Sequence, residues 1–204
     1  MHPSDDALFA ATPLLPAPRF GLLPPLSEGC KRLLGASSGL YVEARTQAWD
    51  VCVPVAAVSL PYGDVMPRVR CTAGPLPRGL LCEFIDVARE HCDREIAAAI
   101  VINVQGAFEL IWPEIETSSS GHVRYIDSCI DDDRLVIDLH SHARSRAFFS
   151  QQDDASDLSR RGPYLAMVVG RCAEAEPEIA TRLTLAPYLM PLSPERIKTL
   201  GLFA

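Results

Sequence analysis

The chain predicts an α/β protein, with a mixed β-sheet flanked by helices on residues 75–204, a β-rich segment at 39–74 and a proline-rich arm at 1–38. Three observations lead there. Apolar runs of strand length, within EIAAAIVIN, RLVIDLH and YLAMVVGRC, recur through the second half; runs apolar on consecutive positions suit strands buried on both faces. One amphipathic pattern precedes them, with Leu81, Phe84, Ile85, Ala88 and Cys92 at steps of three and four, the period of a core-packing helix. Before that helix, Val- and aromatic-rich segments alternate with turn residues, as antiparallel strands do.

Composition sets the bounds. At 204 residues and 48% hydrophobic content the chain can fill a proper core. A net charge of -7 argues against nucleic acid as a partner, because binding a phosphate backbone needs clustered Lys and Arg. The seven cysteines, Cys30, Cys52, Cys71, Cys82, Cys92, Cys129 and Cys172, are odd in number and include no Cys-x-x-Cys pair. They read as mostly buried small hydrophobes in a reducing compartment. The N-terminus carries Asp5 and Asp6 and is broken by Pro13, Pro16 and Pro18, unlike a signal peptide. No apolar run approaches the roughly 20 residues that span a bilayer. A cytoplasmic protein without a membrane partner is expected.

Residues 1–38 hold prolines at 3, 13, 16, 18, 24 and 25, which predicts an extended arm lying along the folded body. From 39 to about 71, YVEAR, WDVCVPVA and MPRVRC predict antiparallel strands, with Pro54 at an edge or irregularity because it cannot donate to a ladder. The helix occupies 75–93, and Glu95 opens a short buried strand behind it. AFELIWPEIE and HVRYIDSCI predict strands joined by a turn at Ser118-Ser119-Ser120-Gly121, and RLVIDLH a central strand after the acidic turn at 131–133. A short polar helix at 150–161 stops at Gly162-Pro163. YLAMVVGRC and ATRLTLAPYLMPL predict two last strands, and 193–200 a final turn of helix.

The chemistry concentrates between Arg134 and Asp153. On a strand, residues i and i+2 project from one side, roughly 6.5 to 7 Å apart, so His140 and His142 can reach one metal ion. Asp153 can return to it through the loop RSRAFFS. Two imidazoles, a carboxylate and an open fourth position suit a catalytic zinc, which lowers its bound water's pKa to about 7. A proton shuttle is needed beside it, and Glu95, at the threshold of the core, is the candidate. Ser150 is placed to donate to the oxyanion developing on a scissile carbonyl. Ser150-x-x-Asp153 reads equally as a capping box, and Glu95 equally as a solvated helix-end residue. A metallo-β-lactamase-like site would continue with Asp-His where Ala143-Arg144-Ser145 stands. A cupin would place a glutamate soon after the histidines. An amidohydrolase barrel would need far more chain than the 62 residues after His142.

The remaining pattern resembles the JAB/MPN metalloprotease signature: a Glu, then His-Ser/Thr-His-Pro, six residues, Ser, two residues and Asp. This chain reads Glu95, then His140-Ser141-His142-Ala143, RSRAFF, Ser150, Gln151, Gln152 and Asp153. The resemblance covers roughly 75–185. It implies a curved sheet with a cytidine-deaminase-like core, zinc held by His140, His142 and Asp153, Glu95 as general acid/base and Ser150 as oxyanion donor. DLHSHARSRAFFSQQDDASD, with LPYG in the β-rich segment before it, further resembles family members of bacterial PRTRC cassettes. That implies a cytoplasmic isopeptidase acting on a ubiquitin-like protein or its conjugate, with E1/ThiF-like or E2-like proteins as partners. The competing reading is a non-catalytic MPN scaffold. Ala143 stands where the signature has proline, and Ala98 where many members have glycine, so Glu109, Glu114 and Glu116 rival Glu95. Asp138 shares a strand face with His140 and is either an imidazole-orienting group or a polar strand end, and Asp154 is the neighbour that competes with Asp153.

Overall fold

The computed structural model describes residues 2–119, 122–125 and 130–204. The chain divides into two units, Met1–Thr72 and Ala73–Ala204. Ser118 and Ser119 of the expected turn lie in a strand, while Ser120-Gly121 of that turn and residues 126–129 of the strand expected through 130, Cys129 among them, lie outside the described residues.

In the first unit, helix α1 (Pro3–Ala11) is followed by strands β1 (Leu14–Pro16), β2 (Cys30–Ala36), β3 (Gly39–Arg45), β4 (Trp49–Ala57) and β5 (Arg68–Cys71). They form one sheet in the order β1-β2-β3-β4-β5, with β1 parallel to β2 and the other pairs antiparallel. The extended arm expected over 1–38 is therefore corrected. Pro3 sits at the first helical position, where the missing N–H would have had no partner, and the His2 side chain caps the turn by accepting from Ser4 N at 3.2 Å. β1 is an edge strand, which tolerates Pro16. Pro54 lies in β4 beyond Trp49–Cys52, the part of that strand β5 pairs with, so its absent donor breaks no ladder there. A row of charges crosses this sheet: Glu43 accepts from buried Arg32 at 2.6 Å and from Arg68 at 2.5 Å, and Arg68 and Arg70 share Asp50.

The second unit begins with helix α2 (Arg78–Glu90) and strands β6 (Ala97–Ile102), β7 (Phe108–Ile111), β8 (Ile115–Ser119), β9 (His122–Tyr125) and β10 (Leu135–Ser141). Helix α3 (Gln151–Ser159), strands β11 (Tyr164–Gly170), β12 (Glu178–Leu185) and β13 (Tyr188–Pro191), and helix α4 (Pro194–Thr199) complete it. Six strands form a mixed sheet in the order β13-β12-β11-β10-β6-β7, while β8 and β9 form a separate hairpin. The parallel pair β10–β11 is joined through α3, the crossover that a parallel pair requires. All residues of β6 and β11 are buried, as their uninterrupted apolar runs dictate. Phe84 and Ala88 are the buried positions of α2, and Phe84 stacks on Trp112 with ring centroids 5.9 Å apart.

Two expected strands are each split. Trp112-Pro113-Glu114 separates β7 from β8, and Ala186-Pro187 turns β12 into β13, because proline withholds the donor a continuous ladder needs. The cysteines also differ from expectation. Cys52, Cys71 and Cys172 are buried, but Cys30 and Cys82 are exposed; both sit on outward positions of elements whose opposite face packs.

Candidate metal centre

Register brings the site together. In the antiparallel pair β6–β10, His140 lies opposite Ala97. Continuing that register by two residues from the His140–Ala97 pair sets Glu95 opposite His142, on the histidines' face, because side chains alternate along a strand. The alignment is enforced by Ser141, which is fully buried between the histidines. Its N–H donates to Ile96 O at 2.9 Å, and its Oγ accepts from Ile96 N at 3.0 Å. From the other side the β8–β9 hairpin holds Glu95 by its backbone: Glu95 N–H donates to Ser119 O at 2.8 Å, and Ser118 Oγ donates to Glu95 O at 2.6 Å.

Asp153 arrives on the first turn of α3. Ser150 is its N-cap, with a complete capping box: Ser150 Oγ accepts from Asp153 N at 3.2 Å, and Ser150 N donates to Asp153 Oδ2 at 2.6 Å. The capping-box reading of Ser150-x-x-Asp153 is what the helix start shows. The cap uses a lone pair of Oγ and Asp153 Oδ2, the Ser150 hydroxyl also bonds the Asp153 carboxylate, and Oδ1 faces His140.

The connecting loop is held from behind. Arg171 N donates to Ser145 O at 2.6 Å and Cys172 N to Ala143 O at 2.8 Å. Gly170 allows this close approach, since a Cβ there would stand 2.2 Å from Ala147 N. Ala143 has φ of +50°, a left-handed conformation closed to proline, whose ring fixes φ near −65°. The departure from the family signature at this position therefore matches the turn that the chain makes.

Ligand atoms of His140, His142 and Asp153 all lie within 4.8 Å of one another. His140 Nε2 is 3.3 Å from Asp153 Oδ1, and His142 Nε2 is 4.0 Å from Asp153 Oδ2. His142 Nδ1 lies 3.2 Å from Arg146 O. A carbonyl only accepts, so Nδ1 carries the proton and Nε2 presents its lone pair to the site, the arrangement of a metal-ligating histidine. Among the described residues His140 Nε2 is buried without a hydrogen-bond partner, its approach to Asp153 lacking hydrogen-bond alignment. A buried ring nitrogen left unmatched beside a carboxylate fits a cation ligand.

The charges fit the same purpose. Burial, with His140's charge, lowers the His142 pKa against the pull of Arg146 O and Asp153, favouring the neutral ligand form. Burial works to lower that of His140, but Asp153, with Asp138 and Glu95, overcomes it and raises it. Burial opposes ionisation of Asp153, yet His140 and the Ser150 N–H hold its carboxyl far below the usual range. Glu95 goes the other way. Burial pushes it up to about 7, His140 opposing and Asp153 adding, where a carboxyl can both take and return a proton.

Glu95, His140, His142, Ser150 and Asp153 line one pocket, and Phe148 forms a wall of it, edge-on to His142 at 4.6 Å between ring centroids. Among the described residues lining it Glu95 is the sole glutamate; Glu109, Glu114 and Glu116, on β7, the β7–β8 connection and β8, do not line it. Asp138 also lines the pocket and reaches Arg160 Nε at 3.5 Å. Asp154 points elsewhere, to Arg182. Ser141, Ser118, Phe148 and Arg182 were not singled out by sequence reasoning. Ser141 alone had a signal there, a small hydroxyl residue enclosed between two candidate ligands.

Two family models match the chain. The prokaryotic homologs of the JAB domain match residues 77–184, just over half of it, and a domain of unknown function (DUF2016) matches residues 2–72. No curated protein matches. No helix is long and apolar enough to cross a membrane among the described residues.

Proposed function

The chain belongs to the prokaryotic homologs of the JAB domain, and from that membership and the site's geometry we propose that it is a zinc-dependent metallopeptidase hydrolysing a peptide or isopeptide bond. One observation carries the reading: the ligand atoms of His140, His142 and Asp153 converge within 4.8 Å in a pocket that Glu95 also lines. Zinc held by these three would polarise a carbonyl oxygen and lower the pKa of a water molecule it binds.

The chain's own residues supply the rest. Glu95 takes a proton from the attacking water and returns it to the departing amine, a service worth about 10²- to 10⁴-fold. Ser150 turns its hydroxyl proton from the Asp153 carboxylate to the oxygen of the scissile carbonyl as negative charge develops there. Arg146 O keeps His142 in the tautomer that binds a metal.

The substrate class follows from the resemblance of DLHSHARSRAFFSQQDDASD to members of PRTRC cassettes, and with it a cytidine-deaminase-like core. The bond cleaved is at the C-terminus of a ubiquitin-like protein or its conjugate, and E1/ThiF-like or E2-like proteins of the same cassette are the partners. The test is incubation of the purified protein with its cassette's ubiquitin-like protein fused through the C-terminal tail to a reporter. Cleavage that disappears in Glu95→Gln while metal content is retained supports the peptidase. Binding without cleavage overturns it in favour of an MPN scaffold.

A further inference from the structure

Resting on the metal-site reading above, we propose that Arg182 is the positioning residue that fixes helix α3, and with it the ligand Asp153, against the sheet. The argument begins with what α3 lacks. Its one buried residue is Asp157, a carboxylate, and Leu158 is 42% exposed. A helix with no apolar stripe has no hydrophobic means of docking, yet this one must hold a ligand to within a fraction of an ångström.

Arg182 supplies the means. It lies on β12, opposite Ala166 of β11 and Pro191 of β13, and is itself buried. Its Nε donates to Asp157 Oδ2 at 2.7 Å, and NH2 lies 2.5 Å from the same oxygen. NH1 donates to Asp154 Oδ1 at 2.5 Å. The guanidinium also lies over the Phe149 ring, 3.8 Å from its centroid. Arg182 therefore touches the chain at 149, 154 and 157, just before the N-cap, beside the ligand and one turn beyond it. Asp157 is further fixed by Tyr164 Oη at 2.8 Å and Thr184 Oγ1 at 3.2 Å, both on sheet strands. The planar fork is essential to this three-point hold, since a lysine ammonium can neither bridge two carboxylates with fixed geometry nor stack on a ring as a plane.

The test reads zinc affinity, by competition with a chromophoric chelator, alongside the thermal midpoint of the zinc-free protein. Arg182→Lys keeps the charge and loses the fork; zinc binding weakened about 10- to 100-fold is expected. Arg182→Met strands a buried carboxylate and destabilises the zinc-free protein. Adding Asp157→Asn removes the stranded charge, so the double variant regains its thermal midpoint while its zinc affinity stays low. Wild-type affinity in Arg182→Lys overturns the proposal, as does affinity that returns with stability in the double variant, which would make Arg182 a structural residue only. Failure of the metal-site reading looks different: wild type and His142→Ala would then bind zinc alike, whatever residue 182 is.

Discussion

Glu95 is asked to be both buried and charged, and the cost of that is measurable. Replacing it with glutamine keeps the shape and removes the ionisation. The carboxyl is pushed up to about 7 by burial, against an unfolded value of 4.5. The folded protein thus holds this proton more tightly than the unfolded chain does. Stability from this group is fully present below the unfolded value and is lost as pH rises from there through the folded value. At about 1.4 kcal/mol per pH unit the loss is capped near ~3 kcal/mol, and water in the pocket screens part of it, leaving on the order of 2 kcal/mol. Zinc-free Glu95→Gln should therefore be more stable than zinc-free wild type at pH 8 and no more stable at pH 4. Activity moves oppositely, falling about 10²- to 10⁴-fold. Denaturant unfolding of both proteins across that range, with NMR of the labelled carboxyl carbon, measures the effect. An ordinary carboxyl titration in the zinc-free protein, or a stability difference that does not change with pH, would refute the reasoning.

The other expectations concern backbone and cap. Ala143→Pro should destabilise by more than about 1 kcal/mol, because proline cannot adopt the φ of +50° found there, whereas Ala143→Gly should be nearly neutral; thermal midpoints of the pair decide this. Gly170→Ala would drive a Cβ into the backbone at Arg146 and Ala147. It should cost about 1–3 kcal/mol and weaken metal binding, by calorimetry, through the displaced Arg146 carbonyl. Ser150→Ala should lose about 1 kcal/mol of cap energy but on the order of 10²-fold in turnover. Loss of stability without loss of turnover would leave the serine as a cap only.

Much of this architecture is legible in the residues themselves, and where it is not, the reason is physical. His140, His142 and Asp153 are found from spacing because two lie i and i+2 where one strand ends and the third closes a short loop onto a cap. Continuous apolar runs announce β6, β10 and β11. Proline misleads in both directions: Pro3 starts a helix it was expected to prevent, and Pro113 and Pro187 break strands that read as continuous. Glu95 is ambiguous in sequence because three other glutamates, Glu109, Glu114 and Glu116, stand between it and the histidines, and the β6–β10 register, a long-range property, brings it to the histidines' face. The same holds for Arg182 and Asp157, 25 residues apart in the chain. Neither belongs to a local pattern, and the packing of α3 against β12 makes them neighbours.

The most direct test of the central claim is the metal content of the purified protein by mass spectrometry. Near one equivalent of zinc in the wild type and near none in His142→Ala and Asp153→Ala is the result the geometry predicts. Equal metal content in all three proteins would contradict it.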